Sequence, residues 1–389
     1  MALLDIWQDS REQLDGKHVQ QIIAFAGLGR LHDGSAASGE FREFLSHIPS
    51  SFLSTYSAQC LSDKFDDNGL ALQDIINEVG RRLEFNVTNG RYRGTSSGTG
   101  AYDGLWQSAK SWSIIIEVKT TDAYNINLDK VVDYRRNLIK LDSVAKDKSS
   151  VLVIVGRQDT GSLEAQIRGS RHAWDVRLIS VDAMFRLLNL KENLEDPAIV
   201  AKIQHILIPQ EFTKVDGIID IAFSAAEDVQ QEEEAITSDD AIIDDHKTKF
   251  TPVSFNQACA KRVGKHINVD LLRKSRATFM SADESVAVVC SVAREQKEKT
   301  SPLFWFAFHP YQAVVLGKSP KAYVAFGCGS EERIVLIPYA EFSDMLSSLW
   351  ITERHGSHYW HVHIAIEGRR VLLRRKKGFD DIDVTAHML

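Results

Sequence analysis

The chain has 389 residues, of which 44% are hydrophobic and 25% charged, so it is long enough for two domains and is not a disordered, collagen-like or coiled-coil protein. Its net charge of −7 at first argues against a nucleic-acid partner. No apolar run approaches the roughly 18 residues of a membrane span, no signal-peptide pattern is visible, and the four cysteines are scattered, so we expect a cytoplasmic protein without a membrane segment or a disulfide framework.

Residues 1–224 predict an α/β domain with a central mixed sheet, preceded by a helical extension. Apolar residues recur at helical spacing over 40–48 and 69–85. Beyond Phe85 the pattern changes to short β-rich segments separated by Gly, Ser and Asn, and then alternates between helix and strand. The expected elements are strands in 86–94, 101–107 and 111–121, a helix over 128–141, a strand over 150–157, and a strand leading into a helix over 176–190. This order is typical of an α/β core.

Residues 225–248 form a strongly acidic stretch. Its carboxylates contribute about −9, whereas residues 247–389 carry 21 basic and 14 acidic side chains, roughly +7. We interpret the stretch as a solvated interdomain linker. The alternative is a mimic of DNA that masks a basic groove until DNA displaces it. The whole-chain charge therefore hides a basic C-terminal third that is compatible with phosphate binding.

Residues 249–389 predict a separate α+β domain. A helix is expected over 254–266 and another over 339–350, with apolar and aromatic segments of strand length around them. The strand candidates are 285–293, 303–309, 322–328, 333–338, 359–366 and 369–376. We expect this basic domain to serve recognition or sensing.

Three charged residues in the first domain form a candidate catalytic site. Glu117 and Lys119 stand two residues apart after a run of three isoleucines, so both side chains project from the same face of the expected strand. Asp103 lies 14 residues before Glu117, on the preceding strand candidate, and neighbouring strands are about 4.8 Å apart. Carboxylates are hard ligands for a divalent metal, and a lysine beside them can orient a water or stabilise charge on phosphorus. The alternative is a surface ion pair on an edge strand.

This pattern, an Asp on one strand and Glu-x-Lys on the next, resembles the PD-(D/E)XK nuclease superfamily of restriction-endonuclease-like folds. The resemblance covers residues 70–160, and Tyr102 stands where the motif has its proline. It implies that Asp103 and Glu117 bind Mg²⁺, with Mn²⁺ as a substitute, and that Lys119 assists the nucleophile.

Two further elements of that family have approximate counterparts here. Many members add a glutamate from the preceding helix, which the resemblance places at Glu78, with Asp74 and Glu84 as competitors. Some members carry a Q-x-x-x-Y helix after the Glu-x-Lys strand. Lys130 and Tyr134 occupy that spacing, with lysine replacing glutamine.

Several basic residues are candidates for binding DNA. For each set the alternative is an ordinary exposed or packed surface without a role in DNA binding. In the first domain the candidates are Arg91 and Arg93 of a Gly/Ser-rich hairpin and Arg168 and Arg171 near Trp174; in the second they are Arg374, Arg375, Lys376 and Lys377. Trp305 and Trp360 are most simply core residues, with base stacking as the alternative.

The second domain also has closely spaced histidines. His361 and His363 share one strand face at metal-ligand spacing, although histidines on sheets are more often simply hydrogen-bonded.

Taken together, the residues predict a divalent-metal-dependent DNA endonuclease. By fold analogy we expect a prokaryotic restriction or anti-phage defence enzyme that cuts both strands as a homodimer. The alternatives are a nuclease of DNA repair or branched DNA, and a non-catalytic DNA-binding or regulatory module on the same fold. A C-terminal domain that senses a small anionic messenger is a further possibility.

Overall fold

The computed structural model describes residues 3–92, 102–120, 126–156, 161–194, 198–208, 252–297, 302–354 and 357–389. The chain divides into two compact units, Met1–Lys191 with Ala198–Ile221 and Glu192–Pro197 with Ala222–Leu389. The linker predicted over 225–248 lies outside the described residues. None of the helices in the described ranges is long and apolar enough to cross a lipid bilayer.

The first unit begins with a group of helices. They are α1 (Leu3–Asp9), α2 (Val19–Phe25), α3 (Ala36–His47), α4 (Ser50–Ser62) and α5 (Asn68–Arg82). Trp7 is buried at their centre, edge-on to Phe44 and Phe52 with ring centroids 5.6 and 5.5 Å away. Burial of such large rings stabilises this helical group, which leads the chain into the sheet.

A mixed five-stranded sheet follows the helices. Its strands are β1 (Asn86–Asn89), β2 (Gly104–Gln107), β3 (Ser113–Lys119), β4 (Ser149–Val155) and β5 (Val176–Ser180). The spatial order is β1-β2-β3-β4-β5, antiparallel from β1 to β3 and parallel from β3 to β5. The parallel connections run through α6 (Leu128–Lys140) and α7 (Gly161–Arg168), and α8 (Val181–Asn193) and α9 (Ile199–Ile206) come after β5.

Both faces of this sheet are covered, which explains its apolar strands. Every residue of β4 is buried, as expected for a strand with helices on both sides. Residues of α6 and α7 pack with Ile115, Val151 and Val153 on one face. Helix α5 contacts β1, β2 and β3. The first unit is therefore a mixed α/β fold in which β3, the strand of the candidate motif, is central.

The second unit contains two sheets. Its helices are α10 (Pro252–Ile267), α11 (Pro310–Leu316) and α12 (Tyr339–Met345). The strands are β6 (Leu272–Arg273), β7 (Thr278–Met280), β8 (Val286–Ala293), β9 (Gln296–Lys297), β10 (Pro302–Phe308), β11 (Lys321–Cys328), β12 (Ile334–Pro338), β13 (Trp350–Arg354), β14 (Ser357–Glu367), β15 (Arg370–Arg374) and β16 (Ile382–Asp383). One sheet has the order β12-β11-β8-β7-β6, and the other has the order β16-β15-β14-β10-β9 with β13 also paired to β14.

The core of the second unit lies on both faces of β8. Val289 packs with Phe304 and Val362 of the other sheet, whereas Val288 packs with Val263 of α10. This alternation follows from the period of two along a strand. The four cysteines of the chain are free and buried.

Candidate active site

The pairing of β2 with β3 brings two carboxylates together. Gly104 pairs with Ile116, so Asp103, directly before β2, and Glu117, directly after Ile116, occupy adjacent positions. The backbone N–H of Asp103 donates to the Ile116 carbonyl at 3.0 Å. Neighbouring strands lie about 4.8 Å apart, which sets the two acids side by side. Two acids in that position favour either a shared proton or a bound cation.

The backbone around Asp103 is held by side chains of α5. Gln73 and Asn77, one turn apart on that helix and both buried, donate to the Asp103 carbonyl at 3.0 and 2.8 Å. The Asp103 carboxylate accepts the backbone N–H of Val118 at 2.6 Å. Sequence reasoning missed Gln73 and Asn77. Their signal was a polar pair at i and i+4 on an otherwise apolar helix face.

Two glycines allow α5 and β2 to pack closely enough for these bonds. A Cβ at Gly80 would lie 2.5 Å from the Trp106 ring, and one at Gly104 would lie 2.2 Å from Asn77 Oδ1. Neither approach is possible for a residue with a side chain. Asn77 Oδ1 also accepts the Trp106 indole N–H at 2.9 Å, so the same amide positions β2 and Asp103.

Glu117 has one paired and one unpaired oxygen. Its Oε1 contacts the ammonium of Lys119, two residues along the same strand face. Its Oε2 is buried and receives no hydrogen bond from any residue that the structure describes. The Glu117 side chain is only 8% exposed, whereas that of Lys119 is 37% exposed. A buried carboxylate oxygen without a donor is costly, and a metal ion would remove that cost.

The electrostatics of the site follow from this crowding. Burial and then the negative charge of Glu117 raise the pKa of Asp103 to about 7, against the opposing effects of the Val118 N–H and the Lys119 ammonium. Burial by itself would lower the pKa of Lys119, but Glu117 and then Asp103 outweigh it and raise that pKa. Lys119 therefore stays a cation at neutral pH, and Asp103 changes its charge near neutrality.

Helix α6 contributes two polar residues near the acids. The negative charge of Glu117 adds to burial in raising the pKa of Tyr134, and the positive charge of Lys130 acts to lower that of Asp103. The two residues are one helical turn apart, so both project towards the same region. The spacing noted in the sequence therefore corresponds to a face of α6 turned towards the candidate site.

The structure does not bring Glu78 to Asp103 and Glu117. Its Oε1 accepts from Arg82 Nε at 3.0 Å and its Oε2 contacts Arg81 at 3.5 Å. Arg82 also donates to the Leu45 and Ile48 carbonyls, so Glu78 faces the end of α3.

The two competitors of Glu78 are engaged elsewhere. Asp74 is buried against Arg42 and Tyr92, and Glu84 pairs with Lys191. Among the described residues, no group of three or more His, Cys, Asp or Glu side chains is placed to hold a metal. The carboxylates at the site are therefore Asp103 and Glu117.

The DNA-binding candidates of the first unit are exposed but mostly paired. Arg168 bridges to Glu164 at 2.6 Å, and Arg171 bridges to Asp129 at 2.7 Å. Arg91 is exposed, whereas Arg93 lies outside the described residues. Exposed ion pairs of this kind open at little cost, so the arginines stay available for phosphate.

The basic cluster of the second unit is partly used by its own fold. Arg374 bridges Glu367 at 2.7 Å and Asp381 at 2.5 Å. Arg375 donates to the Asp380 carbonyl, and Lys376 donates to the Ser347 carbonyl at 2.7 Å. Lys377 is exposed. These contacts order the strand end, so the cluster is less free than its sequence suggests.

One histidine of β14, His361, is held by hydrogen bonds at both ring nitrogens. His361 Nδ1 accepts from the Trp305 indole at 2.9 Å, and its Nε2 lies 2.6 Å from Thr352 Oγ1. Both ring nitrogens are thereby occupied, which leaves none for a metal. For His361 these bonds support the hydrogen-bonding interpretation over the zinc site, whereas His363 Nδ1 is buried and has no hydrogen-bond partner among the described residues.

No protein-family model matches the sequence, and no curated protein matches it significantly. The geometry of Asp103, Glu117 and Lys119 therefore carries the functional argument.

Proposed function

We propose that the first unit is a divalent-metal-dependent DNA endonuclease with a restriction-endonuclease-like core of the PD-(D/E)XK type. The observation that carries the proposal is the adjacent pair Asp103 and Glu117, with a buried, unpaired oxygen on Glu117 and with Lys119 two residues beyond it. The order of elements supports the same proposal. A helix, three antiparallel strands, a helix and a parallel strand follow one another in the order that the resemblance implies.

The residues present fit a hard divalent cation. Mg²⁺ is usually held by one or two carboxylates together with water and substrate phosphate, so a third acid is not required. Asp103 and Glu117 would hold it, and the unpaired Glu117 oxygen supplies a ligand that no described protein donor occupies. When bound, the ion supplies Lewis-acid stabilisation of charge on the phosphate. Mn²⁺ has the same preference for oxygen ligands and is the expected substitute.

The protein's own groups have distinct roles in this proposal. Lys119 keeps its proton, and its half-exposed ammonium can donate a hydrogen bond to an attacking water or to a phosphate oxygen as negative charge develops there. Gln73 and Asn77 keep Asp103 in place through its carbonyl. Because the backbone of Asp103 is fixed before the substrate binds, little entropy is lost on binding, which favours catalysis.

Prokaryotic restriction or anti-phage defence in the cytoplasm is the setting that we propose with this activity. A homodimer would let two such sites cut both strands. Sedimentation of the protein with and without duplex DNA tests the dimer separately from the chemistry.

Plasmid cleavage tests the activity. Supercoiled DNA is incubated with the wild type, Asp103→Ala and Lys119→Ala in Mg²⁺, in Mn²⁺ and in EDTA. The matched controls are Asp133→Ala and Lys140→Ala on the exposed face of α6. We expect metal-dependent cleavage that only the two site variants lose.

Two results would contradict this assignment. Equal cleavage by the site variants would place the activity elsewhere or in a contaminant. Absence of cleavage, together with no Mg²⁺ or Mn²⁺ binding in calorimetry, would favour a non-catalytic DNA-binding module. Preference for nicked or four-way substrates would instead indicate a nuclease of repair or branched DNA.

A further inference from the structure

The second unit displays a row of aromatic rings on the outer face of one sheet. Along β10, Phe304 and Phe306 point into the core while Trp305 points to the opposite face. Along β14, Val362 and Ile364 are buried in the core, and His361 and His363, which alternate with them, face outwards. The outer-face ring row consists of Trp305, His309, Trp350, Tyr359, His361 and His363.

The rings of this row are in continuous contact. The Tyr359 ring lies 5.6 Å from that of His309 and 5.0 Å from that of His361. His361 and His363 are stacked at 6.0 Å with an angle of 11° between their planes, and Trp350 stands edge-on to His363 at 5.1 Å. The row thus forms an extended aromatic surface along and beside one strand.

Hydrogen bonds fix the orientation of its central rings. The Trp305 indole N–H donates to His361 Nδ1 at 2.9 Å, so the proton of His361 is on Nε2, which lies 2.6 Å from Thr352 Oγ1. A histidine that accepts at Nδ1 is uncharged. Burial also lowers the pKa of His361, and burial followed by His361 lowers that of His363 to about 4. His361 and His363 are therefore neutral, and hydrogen bonds hold Trp305 and His361 in place.

The outer row differs from the core aromatics in exposure. Phe304 and Phe308 are fully buried, whereas Trp350 is 39% exposed and the other members of the row are half-buried. A sheet whose other face already forms the core gains nothing for its folding by keeping ring faces in water. A contiguous apolar or aromatic surface of this kind usually marks a binding site.

Basic residues border the row. Strand β15 pairs with β14, and its Arg374 is aligned with His363. The segment 369–377 around β15 has six basic and no acidic residues. Arg370 and Arg374 form ion pairs with acids outside the segment, whereas Arg369 and Lys377 at its ends are exposed. Neutral aromatic rings beside exposed cations match a ligand with flat bases and an anionic backbone.

We propose that the outer-face ring row binds unpaired bases of single-stranded nucleic acid by stacking, with the 369–377 segment holding the phosphates. Open sheet faces bind single strands in this way because every base has a π-face, so the contact tolerates different sequences. Paired bases inside a duplex cannot reach such a surface. This site goes beyond the proposed endonuclease activity and does not depend on it.

Fluorescence anisotropy with the full chain in EDTA tests the proposal without requiring cleavage. The probes are a fluorescein-labelled oligothymidylate of about 20 nucleotides, longer than typical single-strand sites, and a duplex of equal length. The variants are Trp350→Ala and Tyr359→Ala. The matched control is Phe25→Ala in the first unit, since Phe25 is 38% exposed and Trp350 is 39% exposed.

We expect the oligothymidylate to bind more tightly than the duplex, and each ring variant to bind it at least about tenfold more weakly. Phe25→Ala should bind like the wild type. Circular dichroism checks that each variant is folded. If one ring variant does not fold, the other still tests the proposal.

Unchanged binding by both folded ring variants, or no oligothymidylate binding by the wild type, would overturn the proposal. The row would then be a docking surface for another protein. A failure here would leave the endonuclease proposal intact, because its test uses metal and the Asp103 site.

Discussion

Two pairs of acidic residues in the first unit, Asp74 with Glu78 and Asp103 with Glu117, differ in the charged groups that contact them. Asp74 and Glu78, on α5, each contact arginine: Arg42 Nε is 2.9 Å from Asp74, and Arg82 Nε is 3.0 Å from Glu78. Tyr92 donates a further hydrogen bond to Asp74. These carboxylates have partners within the fold, and they connect α5 to α3 and to the end of β1.

Asp103 and Glu117 form the other pair, and they face each other. The only cation in contact with either carboxylate among the described residues is Lys119, which reaches one oxygen of Glu117. Glu117 is as buried as Asp74 and Glu78, whereas Asp103 is only partly buried, so burial does not distinguish structural acids from functional ones. The informative feature is therefore an acid such as Asp103, which has a second acid beside it and no cation in contact with it among the described residues. Such a pair is prepared for a cation that the protein does not supply.

The largest effect on cleavage, with no loss of stability, is expected for Glu117→Gln. Because this variant removes a charge that would bind metal, we expect cleavage to fall by about 1000-fold. The free energy of unfolding should not decrease, since Asp103 loses its repulsive neighbour. Plasmid cleavage and urea denaturation measure the two quantities. Cleavage at the wild-type rate would remove Glu117 from the site.

Glu78→Gln should lower the stability of the protein without changing its affinity for metal. It leaves the buried Arg82 guanidinium without its carboxylate, which costs about 3 kcal/mol in free energy of unfolding. Metal affinity should stay at the wild-type value, because Glu78 does not face Asp103. Denaturation and calorimetry in Mn²⁺ test this. Loss of metal binding without loss of stability would make Glu78 a ligand after all.

Asp103→Asn tests the raised pKa. An acid whose pKa rises from 3.8 to about 7 on folding binds its proton more tightly in the folded state. The contribution of Asp103 to the free energy of unfolding is therefore greatest below pH 4 and decreases until about pH 7. Asparagine cannot ionise. In EDTA we therefore expect the variant to gain on the order of 4 kcal/mol over the wild type at pH 8 and little at pH 4. Equal stabilities at both pH values would contradict the raised pKa.

Metal affinity should also depend on pH, with a smaller effect. A carboxylate must lose its proton before it can bind a metal, and the Asp103 pKa of about 7 means that few molecules are ionised at pH 6. From pH 6 to pH 8 we expect Mn²⁺ affinity to rise about tenfold, with proton release. Calorimetry in buffers of different ionisation enthalpy measures both. Asp133→Asn is the control, because its exposed carboxylate should leave this profile unchanged.

Much of the secondary structure could be predicted from local patterns. The apolar spacing over 69–85 corresponds to α5, at Asn68–Arg82, and the isoleucine run ending in Glu117 corresponds to β3. The helix expected over 339–350 ends at Met345, however. Trp350 instead begins β13 and pairs with His361, a partner that local sequence does not reveal. Strand pairing outweighs helical propensity there.

Local patterns in the sequence were enough to predict the α/β order of elements and the strand that carries Glu117 and Lys119 on one face. They also predicted that a single turn between strands separates Asp103 from that strand. The sequence did not determine which acid of α5, if any, lies beside Asp103 and Glu117. Successive residues of a helix are about 100° apart, so only one face of α5 reaches β2. That face carries Gln73 and Asn77, and Glu78 is turned towards Arg82. Which side chains meet was decided by the packing of α5 on the sheet, because helix orientation depends on contacts far apart in the chain.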